Sequence, residues 1–318
     1  MSTVQHEFSP PRDRENQNMH LNTANNERPF PWWRRLRHRI GELSLRDLLV
    51  WWRHRGFIPA DVFIATYPRS GYTWLKFMVF SVLTGEVADF QKVSFAFRYV
   101  GEHSKSLGLL PAGGRFISTH EVYSRHYKRA IYIVRDVRNV AVSEFLRERA
   151  KGIVTTFDQY LDRFLRGAKR HGSWPDHVAS YLNSETAKSG NLLLLRYEDM
   201  RQHPEQTLVQ VLDFLKVPYD SRKIRQAVED NTIERMRQKE DAARELKDKV
   251  IRRPFKGIGG DDGRFVRVGS LEGWREWLTP EQLRAIEEHA GECLVRAGYK
   301  LSGEHATGVP AALSSAVP

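Results

Sequence analysis

Hydrophobic and polar positions along the chain alternate between short continuous apolar runs and longer stretches with helical spacing. The apolar runs are typical of strands buried on both faces of a parallel sheet, and they fall at residues 61–66, 115–119, 130–134 and 191–196. Helical spacing predicts helices at residues 73–84, 138–150, 155–168, 204–216, 221–229 and 280–297. This order indicates a three-layer α/β fold with a mainly parallel central sheet.

The loop after the first predicted strand, residues 66–74, reads Thr-Tyr-Pro-Arg-Ser-Gly-Tyr-Thr-Trp. A loop that leads into a helix leaves backbone N–H groups unpaired at the positive end of the helix dipole, which suits phosphate-like anions. Arg69 adds a permanent charge, Ser70 and Thr73 add hydroxyl donors, and Gly71 lets an anion approach the backbone. The loop lacks the second glycine and the lysine of the NTPase P-loop. It is therefore P-loop-like, and the alternative is an ordinary strand–turn–helix corner with a solvated arginine.

A second basic cluster follows the predicted strand 130–134. The strand ends at Arg135, and Ser143 follows in a stretch with helical spacing. Ligands of open α/β sheets bind at the carboxyl ends of the strands. Arg135 and Ser143 are therefore predicted to hold a second anion near the first.

With these residues in view, the chain resembles the sulfotransferases that use 3′-phosphoadenosine 5′-phosphosulfate (PAPS), and most closely their cytosolic type. Residues 66–74 resemble the family's 5′-phosphosulfate loop, Tyr-Pro-Lys-Ser-Gly-Thr-Thr-Trp, and residues 132–143 resemble its 3′-phosphate segment. Residues 196–200 resemble its Tyr-Glu-Asp segment. Residues 265–269 and 273–275 resemble its C-terminal Arg-Lys-Gly lid and the Gly-Asp-Trp block behind it.

The resemblance implies a role for each matching residue. A first group would hold the 5′-phosphosulfate, with Trp74 stacking on the adenine: Arg69, Ser70, Gly71, Tyr72 and Thr73. A second group would hold the 3′-phosphate, with Tyr197 at the adenine end: Arg135, Ser143, Arg267 and Gly269. Packing in the core is the alternative for Trp74, Tyr197 and Ser143, and a solvated surface position is the alternative for Arg267.

Sulfuryl transfer needs a group that removes the acceptor's proton, and histidine suits this task near neutral pH. His120 ends a strand-like run where the family's Lys-Thr-His motif places its base, so the resemblance implies that His120 is the general base. Arg69 and the loop amides would stabilise the charge that develops on the transferred group. His103 and His126 are the alternative bases. The lone Cys293 has no neighbours with zinc-ligand spacing, so no metal is expected.

Three departures from the family pattern limit this comparison. Arg69 replaces a lysine, which preserves the charge and changes its geometry. Ser118 stands where many members have a lysine two residues before the histidine, and Val268 replaces the lysine of Arg-Lys-Gly. Basic residues that could compensate crowd the same region: Arg252, Arg253, Lys256 and Arg264. A catalytically impaired relative that binds PAPS or its desulfated product stays open.

The balance of charge gives a competing hypothesis. The chain has 50 Lys and Arg residues against 39 Asp and Glu residues, a net charge of +11. Basic proteins often bind nucleic acid, but no recognised nucleic-acid-binding module is present, and an anionic donor accounts for part of the charge. The single cysteine favours a reducing compartment. With no apolar run of transmembrane length and a polar N-terminus, the expected location is cytoplasmic.

Composition predicts four regions along the chain. A disordered tail at 1–28 precedes a basic, tryptophan-rich helical segment at 29–56, a sulfotransferase domain at 57–301 and a disordered tail at 302–318. The tryptophans and arginines of residues 31–55 suit peripheral contact with an anionic membrane, and the alternative is a pair of helices packed on the domain.

The acceptor is expected to be a small molecule or a glycan. Loops around residues 85–113 and 235–265 are expected to select it. A carbohydrate or glycolipid is preferred, on the basis of Arg69 and the basic tryptophan segment. The sequence does not fix the oligomeric state.

Overall fold

The computed structural model describes residues 45–168, 171–246, 264, 266 and 270–303. The chain divides into two units, residues 1–49 and residues 50–318, and the second contains nearly all of the described residues. The predicted N-terminal tail and most of the basic tryptophan-rich segment lie outside the described residues. So do Arg267, Val268 and Gly269 of the predicted lid, and Arg252, Arg253 and Lys256.

The centre of the second unit is a parallel sheet, and its strands in the described part of the chain are β1 (Val62–Thr66), β2 (Phe116–Thr119), β3 (Ala130–Val134) and β4 (Leu192–Arg196). Their order is β2-β1-β3-β4, and all neighbouring pairs run parallel. The four predicted strands are confirmed to within one residue. Because parallel strands share one direction, the loops after all four strands meet at the same edge of the sheet.

Alternate residues of each strand pack on opposite faces of the sheet. In β1, Val62 and Ile64 belong to one hydrophobic cluster, while Phe63 and Ala65 belong to another, and all four are buried. A strand that is buried on both faces needs apolar residues at every position, which explains its continuous apolar sequence. The predicted three-layer α/β fold is therefore confirmed.

Helices cover both faces. Those with buried residues in the cluster of Val62 and Ile64 are α2 (Tyr72–Thr84), α3 (Phe90–Ala96), α8 (Tyr197–Gln202), α9 (Pro204–Leu215), α10 (Ser221–Glu229) and α11 (Ile233–Glu245). Those with buried residues in the other cluster are α4 (Val137–Ala150), α5 (Phe157–Leu165), α6 (Trp174–Leu182) and α12 (Pro280–Arg296). The remaining α-helices of the described residues are α1 (Leu45–His54) and α7 (Glu185–Lys188).

The predicted helices are all present, with ends that differ by at most three residues. The expectation of loops at 85–113 and 235–265 is wrong in part, because α3 lies in the first and most of α11 lies in the second. Helix α3 has only seven residues, too few to show a helical period. Helix α11 is largely polar and buries few apolar side chains, so its sequence lacks an apolar stripe.

The C-terminal part of the described chain is anchored to the start of α4. Arg138 forms ion pairs with Asp136 and Glu287 and lies over the Trp274 ring, 4.4 Å from its centroid. Asn139 donates a hydrogen bond of 2.5 Å to the carbonyl of Leu271. These contacts hold the segment behind the predicted lid next to the helix that carries Ser143.

Candidate active site

The loop between β1 and α2 has an unusual backbone. Arg69 adopts φ 71° and Gly71 adopts φ 83°, and a positive φ is strained for a residue with a side chain. Gly71 precedes the first residue of α2, and no side chain caps that helix. Thr66 fixes the start of the loop by donating 2.7 Å to the carbonyl of Ile133 on β3. The uncapped N-terminus of a thirteen-residue helix thus faces a rigid, bent loop, which is a suitable arrangement for an anion.

Two polar side-chain atoms at this loop have no hydrogen-bond partner among the described residues. They are the Ser70 hydroxyl and the Arg135 Nε, and both are buried. Leaving such a group unpaired costs about 1–3 kcal/mol. A phosphate-like anion would supply acceptors to both groups, so the residues present fit the phosphate groups of a PAPS-like ligand.

Arg135 and Tyr197 pack against the loop. Arg135 donates 2.9 Å to the carbonyl of Arg69, and its guanidinium lies 4.5 Å from the centroid of the Tyr197 ring. The same ring lies directly against Gly71, so that a Cβ at position 71 would overlap its carbon atoms. Gly71 is therefore required by its positive φ and by the close approach of Tyr197.

Arg69 connects the loop to α4. Its Nε donates 3.1 Å to the hydroxyl of Ser143, which is buried. The predicted 5′-phosphosulfate residues and the predicted 3′-phosphate residues therefore lie side by side. Trp74, half-buried on α2, donates 2.6 Å from its indole to the carbonyl of Asn231.

His120 follows β2 and is oriented by the end of β1. Its Nδ1 lies 2.9 Å from the carbonyl oxygen of Thr66. A carbonyl can only accept, so Nδ1 carries the proton, and the neutral ring keeps a free lone pair on Nε2. Burial lowers the pKa of His120 to about 4, and the cationic forms of His171 and Lys76 contribute to the lowering. His120 is thus neutral at physiological pH with Nε2 available as a base.

Two further histidines hold the His120 backbone. His171 Nδ1 donates 2.8 Å to the His120 carbonyl, and His177 Nε2 lies 3.3 Å from the same oxygen. The Tyr132 hydroxyl pairs with His177 Nδ1 at 2.8 Å, and burial lowers the pKa of His177 to about 3. His171 and His177 were not identified from the sequence, because each is one of twelve histidines and neither belongs to a recognisable motif.

One cavity of about 840 Å³ connects these residues. Its lining at one end includes Arg69, Gly71, Thr73, Trp74, Arg135, Ser143 and Tyr197, and at the other it includes Tyr72, Lys76, Phe90, Phe97, Tyr99 and His120. The alternative bases lie elsewhere: His103 bonds to the carbonyl of Arg55 at 3.0 Å, and His126 is an exposed neighbour of His54.

Neither a metal centre nor a membrane-spanning helix is found within the described residues. No group of three or more His, Cys, Asp or Glu side chains there could hold a metal ion, and Cys293 is buried with its thiol 3.5 Å from the carbonyl of Pro175. Within the same residues, no helix combines the length and the apolar character that crossing a bilayer requires.

Comparisons with known proteins point to one family. A family model described as "Sulfotransferase domain" matches residues 59–298. Flavonol 3-sulfotransferase of Flaveria bidentis is 26% identical over 287 residues, which cover 79% of this chain and 91% of that protein. Cytosolic sulfotransferase 5 of Arabidopsis thaliana is 23% identical over 270 residues, 76% of this chain and 81% of that protein.

A solved structure has the same fold. Mouse sulfotransferase SULT7A1, crystallised with 3′-phosphoadenosine 5′-phosphate (PAP), is similar with a TM-score of 0.56 and 24% sequence identity. The similarity covers 77% of this chain and 88% of the mouse chain. The parallel sheet with helices on both faces therefore corresponds to a fold on which PAP has been observed.

Proposed function

We propose that His120 is the general base and that the acceptor is a hydroxyl group on an aromatic or flat apolar molecule. The chain belongs to the sulfotransferase family and is a PAPS-dependent enzyme. The observation that carries the proposal is that one cavity is lined by both the anion loop and His120, whose Nδ1 is bonded to Thr66 and whose Nε2 has no partner among the described residues. A donor held by the loop and an acceptor held beside the base would therefore meet in one space.

The donor end of the cavity would hold the phosphate groups of PAPS. The 5′-phosphosulfate is assigned to Arg69, Ser70, Gly71, Tyr72 and Thr73, and the 3′-phosphate to Arg135 and Ser143. This assignment is supported by the unpaired Ser70 hydroxyl and Arg135 Nε. Trp74 and Tyr197 are assigned to the adenine end. Arg267 and Gly269, outside the described residues, stay predictions from the sequence.

The chemistry requires the acceptor to lose a proton as it attacks. PAPS supplies the sulfuryl group: the acceptor oxygen bonds to sulfur while the bond from sulfur to the 5′-phosphate oxygen breaks, and PAP leaves with the electron pair. His120 Nε2 receives the acceptor's proton, because Nδ1 is already committed to Thr66. Arg69 and the α2 N-terminus face the negative charge of the transferred group throughout the reaction, which is the role of a preorganised electrostatic site. General-base help of this kind typically contributes about 10²–10⁴ in rate.

The acceptor end of the cavity favours an acceptor that contains a flat ring. Phe90, Phe97 and Tyr99 line it beside His120, and aromatic side chains bind flat apolar surfaces well. One relative is named for flavonol, which is a phenolic acceptor. The carbohydrate or glycolipid acceptor predicted from the sequence stays the alternative, since sugars also pack on aromatic rings.

Calorimetric titration with PAP, followed by an acceptor screen, tests the proposal. Wild-type protein is expected to bind PAP, and Arg69→Ala and Arg135→Ala are expected to weaken binding by at least tenfold. The screen compares 4-nitrophenol and 2-naphthol with glucose and a galactosylceramide, using PAPS as donor. Transfer to the phenols supports the aromatic acceptor, whereas transfer to the sugar or glycolipid alone would replace it. No binding of PAP would contradict the donor-site assignment.

For location, we propose a cytoplasmic protein with peripheral membrane contact. One relative is named cytosolic, and Trp51 and Trp52 are 65% and 51% exposed beside Arg53 and Arg55. Exposed tryptophans next to arginines suit an anionic lipid surface. Pelleting with phosphatidylserine vesicles, reduced by Trp51→Ser with Trp52→Ser, would support this contact, and equal recovery in the supernatant with and without vesicles would exclude it.

A further inference from the structure

Lys76 is a lysine buried in an otherwise apolar stretch of α2. It is 6% exposed, and lysine is almost never that buried unless it is paired. Among the described residues its ammonium forms no ion pair, and its hydrogen bond goes to the Ser118 hydroxyl at 3.4 Å. An ammonium has three donors, so most of its hydrogen-bonding capacity is unused.

The ammonium lies among aromatic rings that line the cavity. Its Nζ is 4.3 Å from the centroid of Tyr72, 5.7 Å from that of Tyr99 and 5.9 Å from that of Phe97. Ring faces attract a cation, and the attraction grows when water is excluded. The rings therefore hold the charge in place without neutralising it, and Lys76 itself lines the cavity.

Lys76 also lies close to His120. Both lie near the same ring, because the centroid of Tyr72 is 4.8 Å from that of His120 and 4.3 Å from Lys76 Nζ. Lys76 lies on the β2 side of the sheet, whereas Arg135 and Tyr197 follow β3 and β4 on the other side of β1. The amine is thus at the acceptor end of the cavity.

Ser118 makes this placement possible. It is fully buried on β2, and its small hydroxyl donates 3.1 Å to the carbonyl of Phe97 while facing Lys76. The positive charge that position 118 lacks is therefore present, carried by a different element of the fold. A role in packing alone would be served better by methionine or leucine, since burying an ammonium is unfavourable.

We propose that Lys76 stabilises the negative charge that develops on the acceptor oxygen while His120 removes its proton. The inference rests on the proposed function and assigns the acceptor site a second polar group. In the step, the acceptor's O–H bond breaks, the proton goes to His120 Nε2, and the oxygen's electron pair forms the bond to sulfur as PAP departs. Lys76 donates a hydrogen bond to that oxygen and keeps its own protons. A phenol is the class of acceptor that suits this arrangement best, because a phenol loses its proton far more readily than an alcohol and so approaches the phenolate as it attacks.

The test uses 4-nitrophenol as the probe with PAP in place of PAPS, so that no turnover occurs. The yellow phenolate band, recorded against pH, gives the apparent pKa of the bound phenol in wild type, Lys76→Met and the control Lys92→Met. The control makes the same exchange on the exposed face of α3. Wild type and the control are expected to favour the phenolate at least tenfold relative to free phenol, and Lys76→Met is expected to lose that preference. Equal phenolate bands in wild type and Lys76→Met, or no shift in wild type, would overturn the inference.

Turnover with PAPS supplies a second readout. Lys76→Met is expected to lower kcat/KM for 4-nitrophenol by about 10²–10³, the usual effect of removing one donor to a developing oxyanion, with unchanged PAP affinity. Lys76→Ala with Ser118→Lys, which returns an amine from β2, is expected to recover at least tenfold over Lys76→Ala alone. Undiminished turnover in Lys76→Met would refute the role of Lys76 and leave the proposed function intact. Absence of PAP binding in wild type would instead refute the donor-site assignment.

Discussion

The two ends of the cavity are built in different ways. The donor end is a continuous loop, residues 66–74, completed by Arg135 and Tyr197 at the ends of β3 and β4. The acceptor end is assembled from side chains on separate elements: Lys76 on α2, Phe97 and Tyr99 in the segment after α3, and His120 after β2. The first depends on backbone conformation, and the second depends on side-chain packing.

This difference determines how far the residues at each end can be substituted. The donor end is constrained by positive φ angles at Arg69 and Gly71 and by the ring of Tyr197 against Gly71, so few substitutions fit there. At the acceptor end, the charge that Ser118 on β2 lacks is supplied by Lys76 from helix α2. A family can therefore keep one donor while its members change acceptors.

The largest effect expected at the acceptor end is on turnover. His120→Ala should lower kcat by about 10²–10⁴ and leave PAP affinity within about twofold, because His120 lies outside the donor loop. Exposed His126→Ala is the matched control and should behave as wild type. Stopped-flow turnover and calorimetry on the same samples measure the two quantities. Parallel loss of PAP affinity in His120→Ala would show that the two ends are not separate.

The pH dependence of that activity follows from the low pKa of His120. The base acts only when it is neutral, so kcat/KM should fall as the pH drops through the pKa of the free enzyme. Since burial lowers that pKa to about 4, protonation of His120 is expected to reduce activity only below about pH 5. On the alkaline side, deprotonation of Lys76, whose pKa burial lowers to about 7, is expected to reduce activity as the pH rises above neutral. An acid-side decline centred near pH 6.5, the value of an unperturbed histidine, would mean that His120 is hydrated.

The buried amine should lower stability, in contrast to its proposed benefit for the reaction. Burial lowers the pKa of Lys76 from 10.5 to about 7, so the buried charge destabilises the folded state below pH 7, and the penalty disappears as the pH rises to 10.5. Lys76→Met should therefore raise the free energy of unfolding by about 2–4 kcal/mol near pH 6 and by little near pH 10. Urea unfolding at both pH values measures this, and a less stable variant at pH 6 would mean that Lys76 has a structural role.

The strand–loop–helix arrangement of the donor end could be predicted from the sequence because its information is local. The pattern around residues 66–74 and the position of Arg135 after β3 follow from short stretches of sequence, whereas the binding of an anion there stays a prediction. The sheet was predictable for a related reason, since strands buried on both faces, such as β1 and β3, need uninterrupted apolar sequences.

Apart from His120, which the resemblance indicated, the acceptor end could not be predicted in this way. Lys76 is visible in the sequence as one charge in the apolar run of α2, yet its meaning depends on Ser118, which is 42 positions away. Tyr99 reaches the site because residues 98–100 pair with β2 at Ser118, a long-range contact without a local signal. Helix α11 was missed because its polar sequence has no apolar stripe.

A smaller effect is expected from closing the space at Gly71. Gly71→Ala should lower stability by about 1–3 kcal/mol and weaken PAP binding, because the added Cβ overlaps Tyr197 and the positive φ disfavours alanine. Gly85→Ala is the control, with φ 72° and nothing within 4 Å of the new Cβ, and should lose about 1 kcal/mol with full PAP affinity. Thermal unfolding and calorimetry give both values. Equal behaviour of the two variants would mean that the contact with Tyr197 does not shape the donor site.

The smallest effect is expected from Arg69→Lys, which tests whether donor binding depends on the geometry of the guanidinium or only on its charge. Arg69→Lys keeps the charge and removes the planar head whose Nε bonds to Ser143. Losing that hydrogen bond should weaken PAP binding by about three- to tenfold, about 1 kcal/mol. Ser143→Ala removes the same bond and also the contact assigned to the 3′-phosphate, so the double variant should be worse than Arg69→Lys alone, but by less than the sum of the two single losses, because the shared bond is lost only once. Strictly additive losses in this cycle would mean that the bond between Arg69 and Ser143 contributes nothing to PAP binding.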